Sequence, residues 1–230
     1  MTLTPEEWTA ILLSLKVAGV ATLASLPVGI LVAHVLARRE FPGKALLDGV
    51  VHLPLILPPV VTGYLLLLTF GRKAPVGAFL ADHLGLVFSF RWTGAALAAA
   101  VMGFPLMVRA MRLSFEAVDA RLEAAAGTLG APPAAVFASV TLPLALPGIL
   151  AGTVLGFAKS MGEFGATITF VSNIPGETQT LPTAIYSLLQ TPGGEAGAAT
   201  LTLIAIAIAF AALVASEMLA RRARRQIGRR

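Results

Sequence analysis

The sequence contains no cysteine, which excludes disulfides and thiolate metal sites. Histidine is scarce too: His34, His52 and His83 are the only three, far apart and in no ligand spacing, so no metal is expected. Charge is thin. Asp, Glu, Lys and Arg make up 13% of the residues, about half the roughly 25% of an ordinary soluble domain. There is no GxxxxGK[ST] phosphate loop. Nor is there a Ser/His/Asp constellation, or a pair of carboxylates at a useful spacing. The chain reads as a non-enzyme without a cofactor, and any energy it uses must come from a partner.

What fills the sequence is apolar. Hydrophobic residues make up 57% and the mean hydropathy is +0.83. Five segments stand out: Thr9–Leu36, Leu46–Phe70, Thr93–Leu113, Leu142–Met161 and Ala198–Ala220. Each is near or above the ~20 residues that cross hydrocarbon as a helix. The expected fold is an all-α polytopic membrane protein of about five transmembrane helices. With no internal repeat and no disordered linker, residues 1–230 read as one domain. Glu6 and Glu7 stand where a signal peptide would be basic, so the first segment is expected to be an uncleaved span.

The net charge of +5 does not point to nucleic acid, because six of the 17 basic residues crowd into the last ten positions, after a span. Distribution matters more than total. Arg38, Arg39 and Lys44 fall in the first loop, Arg109, Arg112 and Arg121 in the third, and six arginines in the tail. That puts twelve on one side against three on the other, Arg72, Lys73 and Arg91. The richer side should be cytoplasmic. The N-terminus is then outside and the C-terminus inside. Apart from Lys159, no basic residue after Lys16 is expected well inside a span.

Seven of the 15 prolines lie within the apolar segments, densest in HLPLILPPVVTG, His52–Gly63. A proline inside a helix removes a hydrogen bond and costs ~3 kcal/mol or more. Pro58 and Pro59 mark either a bend that moves along a solute path or a static kink. Lys159 and Glu163, four apart, read either as an interfacial ion pair or as groups at the mouth of that path. Gly148, Gly152 and Gly156 form a small-xxx-small stripe for close helix packing. The linker Gly162–Gly197 contains Thr178–Gln190, with Leu181, Ala184, Ile185, Leu188 and Leu189 at helical spacing. That is a short helix, at the outer surface or re-entrant. Five helices enclose a path poorly, so a twofold homodimer is expected.

Between the third and fourth segments lies RLEAAAGTLGAPPAAVFASVTLPLALPG, Arg121–Gly148. Val118–Leu129 reads as an Ala-rich helix, Gly130 as its C′ residue, and Pro132–Pro133 as the start of another helix. The result is a helix–turn–helix bracket. Ala124, Ala125 and Ala126 carry no bulk, so a partner's backbone could come close.

This insert resembles the EAA loop of the permease subunits of ABC importers: Glu-Ala-Ala, three residues, Gly, nine residues, then Ile-x-Leu-Pro. Gly130 takes the Gly position, Val140 the Ile position, Leu142 and Pro143 the closing pair, and Ala125 and Ala126 the two Ala positions. The Glu position falls on Ala124, with an acid one residue earlier at Glu123. SNIPGET (Ser172–Thr178), QTPGGE (Gln190–Glu195) and Arg38–Leu68 resemble molybdate-importer permeases closely and sulfate permeases less so. The resemblance implies a cytoplasmic ABC ATPase that receives the bracket as a coupling helix. It also implies an extracytoplasmic oxyanion-binding protein, and a place in a bacterial inner membrane. The cargo would be molybdate, with sulfate or tungstate as alternatives. From another class, an ATPase-independent transporter or channel lacks the internal inverted repeat it should have, and a mere anchor or sensor leaves the kinked spans unexplained.

Overall fold

The computed structural model describes residues 3–227, with side chains through Met218 apart from Ser216. The arginine-rich tail used above for orientation therefore lies outside the described side chains. Every regular element among the described residues is a helix. In order they are α1 (Pro5–Arg38), α2 (Lys44–Ile56), α3 (Pro59–Phe70), α4 (Pro75–Leu84), α5 (Trp92–Glu116), α6 (Ala120–Thr128), α7 (Pro133–Val136), α8 (Leu142–Met161), α9 (Gly165–Val171), α10 (Leu181–Leu189) and α11 (Glu195–Ile227). A five-residue π-helical segment, Phe137–Thr141, joins α7 to α8. Four helical stretches are long and apolar enough to cross a membrane, and a fifth if the bent pair α2–α3 is one span.

α5 is the axis, packed mainly between α1 and α8. Ala95, Ala96, Ala98 and Ala99 are buried in its first half, Met107, Val108, Met111 and Phe115 in its second. In lipid there is little hydrophobic drive between helices, so close approach and interhelical hydrogen bonds must hold the bundle. The glycine stripe supplies the approach. A Cβ on Gly152 would sit 2.7 Å from the Met107 carbonyl oxygen, and one on Gly148 would overlap Ser114. Ser160 Oγ donates to the Ala99 carbonyl at 3.1 Å, and Ser114 Oγ to that of Ala145 at 3.2 Å.

Two features depart from the sequence reading, and a third was expected only in outline: the break at Pro58–Pro59 is present, and α2 and α3 meet there at 115°. Leu57 is extended, as a residue before proline prefers, Pro58 caps α3, and Pro59 starts it. The stretch taken as a linker holds an additional helix, α9, which packs on α3 and α5. Arg109 and Arg112, counted with the third loop although they fall inside the Thr93–Leu113 segment, lie within the last turns of α5. There Arg112 pairs with Asp48 at 3.0 Å and Glu116 at 2.8 Å. The expected Thr178–Gln190 helix is α10. It packs on α1 and α11, with the Leu181 amide donating to Ser14 Oγ at 2.6 Å.

Candidate coupling bracket and gate

The bracket is built from local rules. Asp119 caps α6, its Oδ1 accepting from the Arg121 amide at 2.9 Å. At the other end Gly130 has φ +87°. Its amide donates to Gly127 O at 3.0 Å, and the Ala131 amide to Ala126 O at 3.3 Å. That is the paired closure of a Schellman motif, which wants glycine at this position. Pro132 caps α7 and Pro133 begins it.

Neither arm has a buried residue. Ala124 and Ala125 are exposed, Ala126 is half-buried, and Leu129 at the tip is 88% exposed. Val140 belongs to the π-helical segment, Leu142 packs on the core beside Phe115 and Ile149, and Pro143 is exposed in the first turn of α8.

Glu123 ties the outer arm to the bundle. One carboxylate oxygen accepts from Thr141 Oγ1 at 2.6 Å and lies 3.4 Å from Arg38 at the end of α1. Arg38 also donates to the Val118 carbonyl at 2.6 Å, which places the first and third loops on the same side. Thr141 is 2% exposed. Beneath this cluster the His34 ring packs edge-on against Phe115 and Phe137. Arg38 and Thr141 escaped the sequence reading. No local pattern joins them to Glu123, although Arg38 was counted among the loop cations.

The path candidates also meet. Glu163 is 3% exposed, accepts from Lys159 Nζ at 2.7 Å, and accepts from the Ala166 amide at 3.0 Å, thereby capping the first turn of α9. That helix seats on the proline bend: a Cβ on Gly165 would lie 2.7 Å from Pro59 Cβ, and one on Gly63 would lie 2.6 Å from Ala166 O. Pro58, Pro59, Lys159 and Glu163 thus belong to one joint, with α9 as its middle piece. Lys16, within α1, lies 3.7 Å from the centroid of the Trp92 ring, a cation–π contact that eases its place in a span.

Long apolar helices bent at one joint, with an exposed bracket at one end, make up a multi-span membrane protein, and its relatives are permeases, transport components rather than enzymes. The chain belongs to the binding-protein-dependent transport system inner membrane component family, whose model matches residues 25–225. It is 63% identical to the molybdenum transport system permease protein ModB of Escherichia coli K12 over 100% of both chains. Identity to the protein of the same name in Haemophilus influenzae is 57%, over 96% of this chain and 97% of that one. The sulfate transport system permease protein CysT of Salmonella typhimurium is 34% identical, over 97% of this chain and 80% of its own length. Among solved structures, the fold matches a bacterial ABC transporter involved in alginate import at TM-score 0.75 and 18% identity, covering 96% of this chain and 80% of that one. It also matches the inward-facing methionine ABC transporter MetNI at TM-score 0.66 and 16% identity, with 94% of each chain covered.

Proposed function

We propose that this chain is the membrane subunit of an ATP-driven importer whose cargo is molybdate. Residues 1–230 act as one permease domain, paired with a second copy about a twofold axis. The N-terminus lies outside the inner membrane and the C-terminus in the cytoplasm, as the twelve-to-three distribution of basic residues favours. The α6–α7 bracket is the coupling element that fits into a cytoplasmic ATPase. A binding protein captures the oxyanion outside and delivers it to the outer mouth.

The observation that carries this reading is the bracket. Its arms bury nothing of their own, yet they run through the π-helical segment directly into α8. ATP-driven closure of the partner would move the bracket, and α8 would carry that motion to the Lys159–Glu163 end. There α9 leans on the Pro58–Pro59 bend, so the α2–α3 elbow could re-aim the path between inward and outward access. The 63% identity to a molybdenum permease supports the cargo.

The test is uptake by the reconstituted permease, ATPase and binding protein, with molybdate, tungstate and sulfate in competition. ATP-dependent molybdate uptake, resistant to excess sulfate, is expected. Uptake without the ATPase would sink the importer reading, and a preference for sulfate would sink the cargo.

A further inference from the structure

Between Lys44 and Arg109 the chain has only three basic residues, Arg72, Lys73 and Arg91. All three line one cavity of about 790 Å³. None makes a side-chain hydrogen bond or ion pair among the described residues, whereas Arg38, Lys44, Arg112 and Lys159 each have a carboxylate. Asp82 on α4, an acid on a neighbouring element, does not line the cavity. All three are exposed, so solvent screens much of their mutual repulsion, but three cations on one cavity still favour an anion there.

The depth and the walls narrow the choice. Arg72 lies two residues past the end of α3, and Arg91 immediately precedes α5. Both spans end here, with Trp92 at the first position of α5, so the cavity stands at the membrane–water boundary. Its walls include Leu67, Leu68 and Val87. Ser89 also lines it and is 6% exposed. Phe90 follows at φ +59°, a conformation uncommon for a bulky residue, in the turn that sets Ser89 and Arg91 on the same cavity. A small inorganic oxyanion would gain nothing from the leucine wall. A phosphate attached to an acyl chain uses both surfaces.

We propose that this cavity binds an anionic phospholipid. Its phosphate sits among Arg72, Lys73 and Arg91, within reach of the Ser89 hydroxyl, and one chain lies along Leu67, Leu68 and Val87. The site does not rest on the transport reading; a free oxyanion, the proposed cargo included, is the other source of the same chemistry, and the test separates the two.

Native mass spectrometry of the purified full-length protein, titrated with phosphatidylglycerol, phosphatidylcholine, inorganic phosphate or molybdate, separates these sources. Wild type should retain phosphatidylglycerol at least tenfold more tightly than phosphatidylcholine. R72Q/K73Q/R91Q should lose that preference, and R91Q alone should lose part of it, which keeps the test open if the triple variant folds poorly. Arg39→Gln, an exposed cation elsewhere, should behave as wild type. Unchanged phosphatidylglycerol binding by R91Q and the triple variant would overturn the site. So would saturation of the cations by inorganic phosphate or molybdate with no gain from the lipid.

Discussion

Thr141 donates a 2.6 Å hydrogen bond to Glu123 across eighteen residues of chain, joining the far end of the bracket to its first arm. With Arg38 3.4 Å away, the same carboxylate ties α6 to the end of α1. A hydrogen bond to a charged group contributes ~1.5–3 kcal/mol, which matters for an arm that buries nothing else. Glu123→Ala should free the arm, lowering molybdate uptake at least tenfold while leaving basal ATPase activity in place. Glu123→Gln retains an acceptor for Thr141 and should lose less. Uptake and ATPase rate measured side by side decide it; normal uptake by Glu123→Ala at normal expression would leave the tie without a role.

At the other end of α8, Glu163 is 3% exposed and serves Lys159 and the Ala166 amide together. Removing Glu163 leaves the Ala166 amide without its acceptor and Lys159 without its partner, and because the Lys159 side chain is 28% exposed the cost falls below the ~3–5 kcal/mol of a fully buried pair. Glu163→Ala should therefore lower the thermal midpoint of the purified permease and impair transport. Glu163→Gln still accepts from Ala166 but leaves Lys159 unmatched, so its midpoint should fall in between. Thermal unfolding in detergent ranks the three, and an unchanged midpoint for Glu163→Ala argues against a structural pair.

Orientation has a direct check. A tag before Thr4 should react with an impermeant reagent added outside intact cells, and a tag after the last residue only once the membrane is opened. Both tags reacting on the same side is the result that contradicts an odd number of spans.

The spans and the bracket were legible in the sequence because their causes are local. Apolar length marks a span, Gly130 marks a left-handed C′ position, and Pro132–Pro133 mark a start. The prolines at 58 and 59 announced a break but not its 115° angle, which depends on α9 filling the elbow. The helix α9 itself was missed: it is seven residues long, begins with glycine, and lies in a stretch otherwise read as linker. The Glu123 tie was hidden because it joins three distant segments, with Thr141 at the end of a π-helical stretch that no hydrophobic period reveals. Arg109 and Arg112 were read as loop residues because charge usually marks a span's end; on α5, Arg112 is matched by Asp48 from α2.

The glycine stripe predicts opposite signs for two similar changes. A Cβ on Gly152 would lie 2.7 Å from Met107 O and 2.9 Å from Met111 Cγ, so α5 and α8 must separate. Overpacking of this kind costs ~1–3 kcal/mol. A Cβ on Gly127, within α6, meets nothing within 4 Å. There the alanine should stabilise the helix by ~0.5–1 kcal/mol. Gly152→Ala should lower the thermal midpoint and Gly127→Ala should not; equal behaviour would remove the packing argument.

Gly130 separates coupling from folding. Its φ of +87° is strained for any side chain, although a Cβ there would meet nothing within 4 Å. The penalty is therefore conformational rather than steric, ~1–3 kcal/mol and largest for a β-branched residue. The Schellman closure through Gly127 O and Ala126 O would open, and the two arms would re-aim. Because neither arm, α6 or α7, has a buried residue, the spans should be untouched. Gly130→Val should thus insert and assemble normally, yet lose both uptake and the stimulation of the ATPase by loaded binding protein. Gly130→Ala should be milder. Gly152→Ala is the contrasting case, since it disturbs span packing and should lower expression or thermal stability first. Expression, ATPase rate and molybdate uptake measured together distinguish the two patterns. Full uptake by Gly130→Val at normal expression would falsify the bracket as the coupling element, whatever the outcome at Glu123.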